Sequence, residues 1–238
     1  MKIPKVKFEL SNINFDIRMI KYFIGSEYWR YFVFKHHPKI KKEKIIGYVK
    51  NYWNENRTEI IKKKEIFQRE WNKINDKYII ILSKVLETDW PNKSITALVS
   101  VNPICPRFLK NWSFSIFYLK KSKSMRETVA HELLHFLYFK KWKEIFPKSK
   151  ERSFDAPYLE WKLSEILAPA ILNNSKIQKI IRFKATGYGI YNKTKIGNIS
   201  INNHFNLLYK ESLNKGESFE EFIKKAYKEI KKYKNVIK

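Results

Sequence analysis

The sequence predicts an α+β fold, and three observations carry that prediction. Long segments toward both ends repeat apolar residues at steps of three to five with charges between them, the pattern of packed amphipathic helices. A middle stretch, residues 94–119, changes to a period of two, the pattern of strands. No internal repeat and no Gly/Ser/Pro-rich linker divides the 238 residues, so strands and unequal helical blocks are read as one domain.

The elements follow in chain order. Lys5 to Leu10 alternates and reads as a strand. The remainder up to residue 37 is rich in aromatics (Tyr22, Phe23, Tyr28, Trp29, Tyr31, Phe32, Phe34) and has no firm period. Residues 40–56 and 58–88 read as two helices, the second with Ile61, Ile66, Phe67, Trp71, Ile74, Tyr78, Ile81, Leu82 and Val85 on its apolar positions. Ser94–Val101 and Trp112–Leu119 are β-branched or aromatic alternations separated by Asn102-Pro103 and Cys105-Pro106, and are expected to pair antiparallel. Helices are expected at about 124–143, about 156–173 and from Ser218 to about Lys234, with a loop or short hairpin over 187–203. The chain thus divides into a mainly helical part (1–90), a central core (91–175) and a helical C-terminal part (176–238).

Composition excludes several classes. With 6 Gly, 8 Pro and 38 Phe, Trp or Tyr, the chain is neither collagen-like nor of low complexity. The lone Cys105 excludes an intramolecular disulfide framework, which fits a reducing compartment. No apolar run approaches the roughly 18 residues needed to span a bilayer, and the charged N-terminus precedes no signal-peptide core. A cytoplasmic protein without a membrane partner is expected. The net charge of +26 invites a nucleic-acid reading, but only 8 of the 49 basic residues are arginine. A solvated lysine surface, swollen by AT-rich codon usage, accounts for it better than a phosphate-reading site does.

One segment carries chemistry: Ser124-Met125-Arg126-Glu127-Thr128-Val129-Ala130-His131-Glu132-Leu133-Leu134-His135. Ser124 and Glu127 form a capping-box pattern that would start a helix there. On it, His131 and His135 are four residues apart and project from one face at a spacing suited to a single ion. Glu132 sits about 100° around the helix from His131, within reach of a water held by such an ion. Chance would produce H-E-x-x-H on the order of 0.01 times in a chain of this composition. His36, His37 and His204 lack comparable spacing and read as surface or structural.

This segment resembles the active-site helix of the zincin metallopeptidases, with the resemblance running from the strand near 113 to the helix ending near 173. It implies a zincin-like core in which one Zn²⁺ is bound by His131 and His135. It also implies that Glu132 is the general base of peptide hydrolysis and that Trp112–Leu119 is the edge strand aligning an extended peptide. A peptide or protein is then the expected substrate. The longer metzincin form fails, since Tyr138 and Lys141 stand where its Gly and third His would be. Peptide deformylase takes a cysteine ligand, but Pro103-Ile104-Cys105-Pro106 lacks that family's motif.

A gluzincin-like third ligand, a glutamate from the next helix, remains. Residues 156–172 are apolar on two sides, so the helix is expected to be largely buried, and its carboxylates need partners. Glu165 borders the more apolar half and is the preferred ligand; Glu160, nearer the exposed entrance, is the alternative, and Asp155 a distant third. Neither glutamate has an acidic residue four positions later, where Ser164 and Pro169 stand, so no named subfamily is matched. Tyr188, Tyr191 and His204 are candidates for an oxyanion donor, none assigned. The competing reading is a zincin-like module without catalysis, whose lysine surface binds nucleic acid or another polyanion.

Overall fold

In the computed structural model, which describes residues 3–91 and 93–237, the fold is mixed α+β. The first alternating stretch is β1 (Val6–Leu10), which buries Val6 and Phe8 and exposes Lys7 and Glu9. β2 (Ile95–Ser100) buries Ile95, Ala97 and Val99 on one face. A two-residue strand, β3 (Arg107–Phe108), and β4 (Ser113–Phe117) complete a four-stranded sheet of order β1-β2-β4-β3.

Two sequence expectations change here. β2 and β4 pair parallel, from Thr96 opposite Ser113 to Ser100 opposite Phe117, and β1 pairs parallel with β2. Only β3 and β4 run antiparallel. The chain leaves β2, returns as β3, turns through a 3₁₀ segment (Leu109–Asn111) with Trp112 at φ 49°, and comes back as β4. That return leg sits outside β4, so β4 is an interior strand with Phe114 to Phe117 buried, and the edge on its side is β3. Burial on both faces is the usual state of parallel strands.

The opposite edge, β1, is covered by helix side chains. α1 (Ile13–Gly25) starts at Asn12, whose side chain accepts from Asn14 N–H, and is followed by α2 (Arg30–His36). α3 (Ile45–Asn72) is a single helix through the point where two were expected, with Ile45, Val49, Trp53, Ile60, Phe67 and Trp71 buried. Its Gln68 accepts from Phe8 N–H at 2.9 Å and donates to the Val6 carbonyl at 3.0 Å. The real break lies at Lys73–Ile74, before α4 (Asn75–Leu86). There Asn75 accepts from the Trp71 indole at 2.8 Å and donates to the Pro4 carbonyl at 3.1 Å. These side chains satisfy backbone groups that an edge strand would otherwise leave open. At the other end of β2, the buried Asp16 carboxylate accepts from Ser11 Oγ (2.7 Å), Trp53 Nε1 (2.6 Å) and Ser100 Oγ.

The rest of the chain is nearly all helix. α5 (Ser122–Ile145) begins two residues before the expected cap; Ser124 lies inside it, its carbonyl accepting from Thr128 Oγ1 at 3.0 Å. α6 (Leu159–Leu172) is buried from Leu163 to Ala168, as two apolar sides require. α7 (Ser175–Ile181) and α8 (Gly189–Lys193) precede a hairpin, β5 (Lys195–Ile196) and β6 (Ile199–Ser200), with Gly197 at φ 58° in its turn. α9 (Ile201–Asn214) and α10 (Phe219–Lys231) close the chain, and the full capping box is at Ser218 and Glu221. Gly187 approaches α6 closely: a Cβ there would lie 3.0 Å from Pro169 Cγ.

Two compact units are present, one of Pro4–Asp76 with Asn92–Glu132, the other chiefly of Lys77–Pro91 with Leu133–Lys238. Among the described residues, no helix is long and apolar enough to cross a membrane.

Candidate metal centre

The middle of α5 is buried all round, from Glu132 to Phe139, with His131 half-buried at its start. A helix in that position must place any polar side chain against a partner. His135, fully buried, finds one on α6: its Nε2 lies 3.3 Å from Glu165 Oε2, and the Glu165 side chain is 1% exposed. His131 stands one turn earlier on the same helix. The ligand atoms of His131, His135 and Glu165 lie within 4.8 Å of one another, so the three could hold a metal ion.

The donor set suits such an ion. Two ligands on a tetrahedral centre with bonds of about 2.1 Å are about 3.4 Å apart, close to the observed His135–Glu165 separation. Among the described residues the group consists of two imidazoles and one carboxylate, donors of the kind that zinc accepts. The His135 ring is further fixed by stacking on Phe139, which stacks in turn on Phe154.

The other sequence candidates are placed elsewhere. Glu160 accepts a hydrogen bond from Tyr227 Oη at 2.8 Å; that phenol is pushed up to about 12, first by burial and then by Glu160. Asp155 is exposed. Cys105 is a half-buried free thiol outside the metal-ligand group, pushed up chiefly by burial. His204 pairs with Glu229 at 3.2 Å. Tyr191 is buried against Tyr188, which packs on Trp161 of α6. His37 is buried, one ring nitrogen 2.8 Å from the Val101 carbonyl and the other 3.2 Å from Tyr48 Oη, while His36 is exposed with its ring against Phe117.

One residue the sequence reading missed stands beside Glu132. Arg107 of β3 brings Nη1 to 4.0 Å from Glu132 Oε2, with the two side chains 9% and 8% exposed. A single arginine between prolines and a turn carries no periodic signal, and only strand pairing brings it here. Compared with protein-family models, curated proteins and solved structures, the chain has no match.

Proposed function

We propose that the protein is a zinc-dependent metallopeptidase, with His131, His135 and Glu165 as ligands and Glu132 as general base. The observation that carries this is the placement of Glu165: a buried carboxylate from α6 meets the H-E-x-x-H helix at ligand distance, while Glu160 is taken by Tyr227. Bound to this donor set, Zn²⁺ would supply the Lewis acidity that makes a water nucleophilic near neutral pH and polarises a carbonyl.

The chain's own residues do the remainder. Glu132 is adjacent to a ligand yet outside the ligand group, the position of a base that takes the attacking water's proton and returns it to the leaving amine. Arg107, 4.0 Å away, would offset the charge of that carboxylate. Burial of the helix around Glu132 and His135 keeps bulk water from competing for these groups.

The test is metal content and peptide cleavage measured together. Wild type should bind zinc near stoichiometrically, lose it in His131→Ala, and keep it in Glu160→Gln. Glu132→Gln should keep the metal while losing cleavage by about 10²–10⁴-fold. Absence of metal from reconstituted wild type would reduce His135–Glu165 to a buried close pair and remove the proposal. Metal without cleavage of any peptide or protein would leave a binding site only.

A further inference from the structure

The aromatic-rich segment that had no period in the sequence forms an outward-facing cluster. Tyr22, at the end of α1, is 68% exposed; on and just before α2, Tyr28 is 53%, Tyr31 65% and Phe32 39% exposed. These four large side chains fall within residues 22–32, and Trp29 packs among them, 4.7 Å from Tyr28 and 5.8 Å from Phe32 by ring centroids. The buried side of the same segment is complete without them: Phe23, Ile24 and Val33 carry the core contacts. An exposed aromatic patch of this kind marks an interaction site.

Charge identifies the partner. Residues 18–44 contain eight basic and two acidic residues, and all ten are exposed. Lys21, Arg30 and Lys35 alternate with the rings. Tyrosine and tryptophan among lysines are the side chains that settle at a bilayer interface, rings at headgroup depth and ammonium groups against anionic lipid. Single-stranded nucleic acid fits less well. It needs open ring faces in a row, whereas Tyr28–Trp29 and Tyr31–Phe32 meet edge to face at 88° and 79°.

We infer that residues 21–35 form a peripheral docking surface for an anionic lipid bilayer, lying on the interface rather than crossing it. The inference is independent of the metal centre.

Sedimentation with vesicles of phosphatidylcholine, alone or with about one third phosphatidylglycerol, tests it. Wild type should partition onto the anionic vesicles. Tyr31→Ser/Phe32→Ser should weaken that about tenfold or more, and each neutralisation among Lys21, Arg30 and Lys35 about fivefold. Brominated lipid should quench wild-type fluorescence, and Trp29→Phe should lose that quenching. Failure of wild type to bind would overturn the inference, as would binding unchanged by the ring variant, which is general adsorption of a +26 surface. So would tighter, ring-dependent binding of a single-stranded oligonucleotide. Should the double variant misfold, quenching of wild type decides: none overturns the inference.

Discussion

Replacing Glu165 by glutamine separates a metal ligand from an ordinary buried partner. In metal-free protein the exchange swaps a carboxyl side chain, 1% exposed, for a carboxamide of the same shape. Removing one partner of the buried His135–Glu165 pair should by itself lower the metal-free melting temperature, so each protein's zinc-induced rise is measured from its own metal-free midpoint. Zinc adds a second, separate effect. Loss of one of three ligands should weaken affinity at least about 100-fold, since even outer partners of metal ligands contribute 10–100-fold. At fixed zinc in excess, that removes about 2.7 kcal/mol of ligand stabilisation. For a chain of this size each kcal/mol shifts the midpoint by about 2–4 °C, so the zinc-induced rise should fall by about 5–11 °C. Glu160→Gln is the control, because Glu160 is engaged by Tyr227, and its zinc-induced rise should equal that of wild type. The assay is a thermal melt with and without zinc for the three proteins. Equal rises in wild type and Glu165→Gln would refute the assignment.

The remaining predictions concern the surroundings. Arg107→Met should cost about 3 kcal/mol by leaving Glu132 without its charged neighbour, and much less in a Glu132→Gln background; a double-mutant cycle in urea showing no coupling would disprove the contact's role. Asp16→Ala should cost on the order of 3 kcal/mol by stranding the Ser11, Trp53 and Ser100 donors, read from the urea midpoint. Burial, partly offset by those hydrogen bonds, raises the Asp16 pKa, so the folded state holds its proton to higher pH than the unfolded chain does. Asp16 therefore stabilises most below its ordinary pKa of 3.8, and that part is lost as pH rises toward the raised value. Asp16→Asn should flatten this slope, and an unchanged profile would contradict it. Gly187→Ala would place a Cβ 2.5 Å from Asn202 Nδ2, which donates to Asn192 at 2.7 Å and cannot yield freely. It should lower stability by about 1–3 kcal/mol, visible as a lower melting midpoint.

Much of this was legible in one dimension, because local periodicity reports which face of an element is covered. The helical character of the α3 region, though not its continuity, the two apolar sides of α6 and the strand at Val6–Leu10 could each be read from spacing alone. So could the shared face of His131 and His135, since a helical step of four fixes it before any tertiary contact forms. Even the preference for Glu165 came from local burial. Strand direction was not readable: alternation is the same whether a neighbour runs parallel or antiparallel, and the return through β3 made β4 interior. Nor could spacing choose with certainty between Glu160 and Glu165, which both border apolar faces. Tertiary packing bears on the choice in a way spacing does not: it groups Glu165 with the two histidines and brings Tyr227, 67 residues along the chain, to Glu160. Arg107 reached Glu132 only through strand pairing, and a residue placed by long-range hydrogen bonds leaves no mark in the sequence around it.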